Sequence, residues 1–147
     1  MIFSIPRCAR GAGMLFPALL LVLGLALLPA LASAQEDFAD EPALTQADID
    51  GYIHLTPRLL GQAARDPETA ARLLAEAGLN RRRAVYVGAK IAVAQAMATG
   101  ALAPDQLDRE NVPVYLRPSA EELSLVQRNL TSLTQAQTAA RRAAAGQ

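Results

Sequence analysis

Residues 80–100, NRRRAVYVGAKIAVAQAMATG, carry a small side chain at every fourth position from Ala84 onward. On an α-helix this spacing places the small residues along one side, where a second helix can approach closely. Asn80 is a suitable N-cap, and Gly100 is a suitable residue to end the helix. Because Val87 and Ile91 flank the stripe, we predict a central helix that packs on more than one side. The predicted packing interface of this helix consists of Ala84, Gly88, Ala92 and Ala96.

The last helix of the chain has a second packing pattern. Ser119 and Glu122 form the sequence pattern of a capping box, in which each side chain bonds the backbone N–H group of the other residue. Apolar residues then recur at spacings of 3, 4 and 3, as they do along a coiled-coil seam. We expect one continuous helix with this seam as a packing interface. The seam consists of Leu123, Val126, Leu130 and Leu133.

Two further helices are predicted before the central one. Thr45 and Asp48 resemble a capping box at the start of the first of them. Pro57 either kinks this helix or divides it in two, because proline lacks the N–H group of a helical residue. The second helix begins at Asp66-Pro67-Glu68, which combines an N-cap with proline at the first helical position. It ends near Gly78, which fits a left-handed C-terminal cap.

The remaining sequence favours an all-helical fold. Residues 101–118 contain three prolines and indicate a connection. No segment alternates apolar and polar residues as a half-buried strand does. The chain is 52% hydrophobic but only 4% aromatic, and it is rich in alanine, which favours helices. We therefore predict an all-α fold, a small helical bundle of four or five helices, in which residues 44–145 form a single domain.

Residues 1–34 have the pattern of a secretory signal peptide. Two arginines precede an apolar run over residues 14–28, and Ala32-Ser33-Ala34 supplies the small residues at which a signal peptidase cleaves. We expect cleavage after Ala34 and a periplasmic or secreted protein. Without cleavage, the same segment is long enough to anchor the protein in the inner membrane. Residues 35–43 are acidic, and we expect them to form a disordered lead-in.

Charge and cysteine content narrow the classes of function. Lys and Arg number 14, and Asp and Glu also number 14, which argues against a nucleic-acid binder driven by bulk positive charge. The one cysteine, Cys8, lies in the predicted signal peptide. We therefore expect the mature domain to hold no disulfide and to be stabilised by packing.

The chain offers few residues for catalysis or metal binding. His54 is the one histidine, so a zinc site would need carboxylates for nearly all its ligands, and a Ser–His pair could use only this residue. Residues 48–53 resemble the middle of an EF-hand loop, but Pro57 stands where that loop needs its bidentate glutamate. We therefore expect no catalytic residue, no metal and no cofactor.

The triplet Arg81-Arg82-Arg83 is unusual because it lies in the first turn of a predicted helix, where the helix dipole repels cations. One interpretation is an intramolecular ion-pair cluster with Glu76, Asp66 and Glu68 as the candidate acids. The other is an anion-binding site, because guanidinium groups and helix N-terminal amides bind phosphate or carboxylate. In an exported protein, that anion would be a lipid head group, a polyanion or an acidic partner.

Residues 133–137, Leu-Thr-Gln-Ala-Gln, match the L-T-x-x-Q signature of Spy-like periplasmic chaperones. Those proteins are small, exported, cysteine-poor and all-helical, and this chain resembles them in each respect. The family pattern normally appears twice, and residues 44–48 lack its final glutamine. The family is usually rich in Lys and Met, whereas residues 35–147 hold one of each. The resemblance implies a chaperone or an envelope-stress protein.

These features favour a non-catalytic binding or protein-interaction module that is exported to the periplasm. Its partner would be another protein, a second copy of the chain or an anionic component of the envelope. A nucleic-acid partner is not expected. The alternatives are a Spy-like chaperone and a binder of anions or lipid head groups through Arg81, Arg82 and Arg83.

Overall fold

A computed structural model describes residues 38–59 and 66–146. Within these ranges the chain forms five α-helices and two single-turn 3-10 helices, without a strand, so the predicted all-α bundle is confirmed. The predicted signal peptide lies outside the described residues. No helix in these ranges combines the length and apolar character needed to span a bilayer. The elements are α1 (Gln46–Leu59), α2 (Pro67–Glu76), α3 (Arg81–Ala98), η1 (Pro104–Gln106), η2 (Val114–Leu116), α4 (Ala120–Arg128) and α5 (Leu130–Ala145).

The helices pack in two pairs around a shared core. α1 lies along α5, α3 lies along α4, and α2 contacts both α1 and α3. α3 supplies three of the six largest fully buried side chains, which places this helix at the centre of the bundle. These six side chains are Ile49, Tyr86, Val87, Ile91, Val126 and Leu133.

The small side chains of α3 pack inside the domain. Ala84 belongs to an apolar cluster that it forms with α2 and the end of α1. Ala96 belongs to another cluster, beneath the connection between α3 and α4. Gly88 is buried and Ala92 is half-buried. The stripe therefore lies on an internal packing surface, and α3 is covered on more than one side.

The seam of the last helix is also internal, but the expectation of one continuous helix is wrong. Val126 and Leu133 are fully buried in the main core, while Leu123 and Leu130 are half-buried. The helix breaks at Asn129, so the seam is shared between α4 and α5.

The side chain of Asn129 explains the break. Its amide nitrogen donates to the carbonyl oxygen of Leu125 at 2.9 Å, and it exchanges two hydrogen bonds of 3.1 and 3.2 Å with the amide of Gln46 in α1. Asparagine competes in this way for backbone groups and therefore favours helix ends over helix interiors. The same side chain thus ends α4 and ties the junction to the start of α1.

Pro57 lies inside α1, which continues to Leu59. Proline cannot donate the backbone hydrogen bond to the residue four positions earlier, so this turn loses one such bond. The hydroxyl group of Thr56 donates to the carbonyl oxygen of Tyr52 at 2.7 Å. Of the two alternatives left open by the sequence, the structure shows a helix that passes through the proline.

α1 and the end of α2 approach each other closely at Gly51. A Cβ atom at this position would lie 2.7 Å from the carbonyl oxygen of Ala77, which is a backbone atom. Just beyond, Gly78 adopts a φ of 70° and ends α2. The N–H groups of Gly78 and Leu79 bond the carbonyl groups of Ala75 and Leu74, as in a Schellman cap. The glycine in the EF-hand-like residues 48–53 is therefore a helix-packing residue.

We predict that Gly51→Ala lowers the free energy of unfolding. Helix propensity alone would make this change stabilising by about 1 kcal/mol. The clash with the Ala77 carbonyl requires backbone movement, which we expect to outweigh that gain. Urea unfolding of Gly51→Ala, with Ala71→Gly on the exposed side of α2 as the control, tests the sign. Both variants should be less stable than the parent. An increase in stability for Gly51→Ala would contradict the close approach.

Candidate functional site

Residues 38–44, which we name the N-terminal arm, lie against α3, η2 and α4. Phe38 is buried, and its ring lies 6.1 Å from the ring of Tyr86 and 6.1 Å from that of Tyr115, measured between centroids. For residues 38–43 this differs from the expected disordered lead-in. The physical reason is that an apolar ring and several carboxyl and carbonyl groups in this stretch find partners on the bundle.

Arg83 binds the arm and the start of α1 together. Its Nε and Nη2 atoms donate to the two carboxylate oxygens of Asp48 at 3.0 and 2.6 Å. Nη1 donates to Glu41 at 3.3 Å and to the carbonyl oxygen of Pro42 at 2.6 Å, and Nη2 also donates to the carbonyl oxygen of Ala43 at 3.0 Å. These contacts match the five donors that a guanidinium group possesses. Only 12% of the side chain is exposed.

The other two arginines of the triplet differ from Arg83. Arg82 donates from Nε to Glu41 at 2.9 Å, and its guanidinium carbon lies 5.7 Å from the centre of the Phe38 ring. Its side chain is 46% exposed. Arg81 is exposed. The carboxylate of Glu41 therefore bridges two guanidinium groups, and the anion next to the triplet is part of the chain itself.

The structure corrects the candidate acids for the triplet. Glu76 instead forms ion pairs with Arg58 at 3.5 Å and Arg72 at 3.3 Å. Asp66 accepts a hydrogen bond from the N–H group of Glu68 at 3.1 Å and caps α2. Glu68 is exposed near the start of α2. The acids that pair with Arg82 and Arg83 are instead Glu41 and Asp48. Glu41 lies 41 positions before Arg82, a separation at which sequence spacing does not indicate proximity.

A second ionic contact lies deeper in the bundle, between Lys90 of α3 and Glu122 of α4. Their charged atoms are 2.8 Å apart, and only 6% and 4% of these residues are exposed. The ammonium group also donates to the hydroxyl oxygen of Tyr86 at 2.8 Å. Glu122 further accepts from the N–H groups of Ser119 and Leu44, each at 2.8 Å. This carboxylate therefore connects α3, the cap of α4 and the end of the arm.

The electrostatics of both contacts favour the charged forms. Burial would raise the pKa of the Glu122 carboxyl, but hydrogen bonds from Lys90 and from the N–H groups of Ser119 and Leu44 lower it below its ordinary value of 4.5. Burial acts in the same way on Asp48, where hydrogen bonds from Arg83 and Thr45 lower the pKa below its ordinary value of 3.8. Both acids are thus held as carboxylates by the cations beside them.

The glutamine that ends the L-T-x-x-Q pattern faces α3. Gln137 donates from Nε2 to the side-chain oxygen of Gln95 at 2.7 Å. Burial raises the pKa of the nearby Tyr52, and the side chains of Gln137 and Thr56 only partly offset this effect. In this fold, Gln137 joins α5 to α3 and α1.

His54 and the EF-hand-like residues 48–53 do not form a common site. His54 is exposed on α1, whereas Asp48 is held by Arg83 and Gly51 is buried against α2. Among the residues that the structure describes, there is no group of three or more His, Cys, Asp or Glu side chains placed to hold a metal ion.

Comparison of the chain with protein-family models, with curated proteins and with solved structures finds no match. Function therefore has to be inferred from the contacts of this chain.

The pairing of Lys90 with Glu122 was not predicted from the sequence, although one signal was present. A single lysine within a helix of small apolar residues has to find a buried partner, because an unpaired charge in a core is costly.

We predict that Arg83→Gln lowers the free energy of unfolding by roughly 3–5 kcal/mol, the range for breaking a buried ion pair by removing one partner. Arg81→Gln provides the matched control, since this side chain is exposed, and it should change stability by less than about 0.5 kcal/mol. Urea unfolding of both variants measures the difference. Equal effects at the two positions would show that Arg83 has no special role.

We also predict a loss of stability in acid. A lowered pKa in the folded state stabilises that state fully above the ordinary pKa, and this contribution is lost as the pH falls through the lowered value. The decline should therefore begin near pH 4.5 for Glu122 and continue below pH 3.8 for Asp48. Glu122→Gln should be less stable at neutral pH and should decline less in acid. Glu121→Gln, which changes an exposed neighbour, should follow the parent, and a Glu122→Gln profile parallel to the parent would contradict the assignment.

Proposed function

We propose that this protein is exported to the periplasm, that its signal peptide is removed after Ala34, and that the mature helical bundle acts as a non-catalytic protein-interaction module. The partner is another protein of the cell envelope. Neither a metal nor a cofactor takes part in this function.

The observation that carries the proposal is the use of the ionisable side chains that are buried or nearly buried. Asp48, Arg83, Lys90 and Glu122 direct their polar atoms at one another and at backbone groups of the chain. No buried side-chain nitrogen or oxygen in the described residues is left without a hydrogen-bond partner. A catalytic acid or base must present such an atom to its substrate. Ionisable groups that bond other groups of the chain instead support a structural role, in which they hold the helices and the arm in the arrangement that a partner recognises.

The surroundings of the arginine triplet support a protein partner over a lipid. The anion at Arg82 and Arg83 is a carboxylate, Glu41, and Arg83 also binds two peptide carbonyl groups. Carboxylates and carbonyls together are the chemistry of an acidic polypeptide segment. Among the anions that the arginine triplet could bind, this observation therefore favours the carboxylates of an acidic protein.

Capture from intact cells tests the proposal. The protein, exported with its own signal and carrying a C-terminal tag, is cross-linked in living cells and purified. We expect a defined cross-linked species whose amount saturates as expression rises. Leu133→Glu places a charge in the core and should abolish this cross-linked species. Thr131→Glu places the same charge on the exposed face of the same helix and serves as the control for the effect of the charge itself.

Two results would overturn the proposal. One is recovery of the protein alone at every expression level, compared at equal amounts of recovered protein. The other is turnover of a substrate by the purified mature chain. Light scattering on the same material separates binding to another protein from self-association.

A further inference from the structure

We propose that the surface beneath the N-terminal arm is a peptide-binding groove that the arm occupies in cis, and that its partner is an acidic segment of another envelope protein. This inference rests on the proposed function and names the site and the chemistry of the partner. The arm groove is formed by Arg82, Arg83, Tyr86, Tyr115 and Glu122.

The groove binds both carbonyl groups and an N–H group of the arm's main chain. Arg83 donates to the carbonyl oxygens of Pro42 and Ala43 at 2.6 and 3.0 Å. Glu122 accepts from the N–H group of Leu44 at 2.8 Å. Main-chain contacts of this kind give affinity for an extended segment whatever its side chains are, and pockets for individual side chains add specificity.

Two positions of the arm are recognised through their side chains. The Phe38 ring contacts Tyr86 and Tyr115, in the latter case edge-on at 61°, and Arg82 lies over it. Three residues later, Glu41 bridges Arg82 and Arg83. A turn closes between these positions, with the N–H group of Glu41 donating to the carbonyl oxygen of Phe38 at 3.0 Å. The groove therefore fits a segment with an aromatic residue and a glutamate three positions later, followed by residues whose carbonyl and N–H groups reach Arg83 and Glu122.

The groups that recognise the arm have other partners that hold them in place. Arg83 is bound by both oxygens of Asp48, which belongs to α1. Glu122 is bound by Lys90 and by the N–H group of Ser119. These contacts do not involve the arm, so they orient the guanidinium and the carboxylate independently of it. A site that is organised in advance loses little freedom on binding, which favours affinity for a second segment of the same chemistry.

The arm itself sets the affinity for a partner. A segment tethered by a few residues competes at an effective concentration in the millimolar range. The unchanged protein should therefore bind a free peptide weakly, and loosening the arm should expose the groove. Because side-chain contacts of Phe38 and Glu41 hold the arm, point substitutions at these two residues can loosen it without shortening the chain.

The test uses a labelled peptide with the sequence of residues 38–44, blocked at both ends, and measures fluorescence anisotropy. The protein is the mature chain carrying Phe38→Ala and Glu41→Gln. We expect it to bind the peptide at least about tenfold more tightly than the unchanged chain, because the competing arm is weakened. A peptide with glutamine in place of its glutamate should bind more weakly to the same protein. Added salt should weaken binding of the parent peptide.

Arg82→Gln, introduced into the arm variant, tests the groove with little risk to the fold because this side chain is 46% exposed. It should reduce peptide affinity several-fold, whereas Arg81→Gln should reduce it less. If the double arm variant loses its helical dichroism, Glu41→Gln alone replaces it in the assay.

Three results would overturn the inference. They are absence of peptide binding by a folded arm variant, binding that ignores the change from glutamate to glutamine in the peptide, and formation of dimers that depend on the arm, which would assign the groove to a second copy. The proposed function is tested separately. If cross-linked capture persists in the Arg82→Gln chain without loss, the protein is an interaction module but its partner binds elsewhere.

Discussion

A nearly enclosed guanidinium group must have its N–H groups bonded, because a buried donor without a partner is costly and a buried cation without an anion is more so. Arg83 meets this demand with two carboxylates and two backbone carbonyls. Its partners come from the arm and from α1, while the arginine belongs to α3. The hydrogen-bonding requirement of this side chain therefore helps to hold the chain before α1 in place. The same acids offset the unfavourable placement of cations at a helix N-terminus.

The deeper pair of Lys90 and Glu122 acts alongside this contact. Buried ion pairs contribute little net stability compared with apolar packing, yet removing one partner is strongly destabilising. Here the pair is joined to Tyr86, to the cap of α4 and to the N–H group of Leu44. Because all of these hydrogen bonds can form together in only one geometry, they favour one relative arrangement of α3, α4 and the arm. The arm groove depends on this arrangement, because Arg83 and Glu122 bind successive main-chain groups of the arm.

The elements of the fold were predictable where local chemistry decides them. The Asp66 cap, Pro67 at the first helical position and the left-handed Gly78 define α2 in the sequence and in the structure. The break at Asn129 was not predictable, because it depends on a contact with Gln46, which lies 83 positions away.

The candidate site, like the fold, was predictable from the sequence only in part. The triplet Arg81-Arg82-Arg83 was recognisable from its unusual place at a helix start, but its acidic partners were not. Glu41 lies in a short acidic stretch that resembles a disordered lead-in by composition. Only the three-dimensional arrangement brings this stretch to Arg82 and Arg83 and shows that Phe38 has an aromatic environment.

Amide hydrogen exchange at Leu44 measures whether charged groups of the bundle hold the arm in place. This N–H group precedes α1 and has the carboxylate of Glu122 as its acceptor. We expect slow exchange at Leu44 in the parent chain and much faster exchange in Glu122→Gln, with the amides of the α5 core still protected. Exchange at Leu44 in the parent at the rate of an unstructured peptide would contradict it.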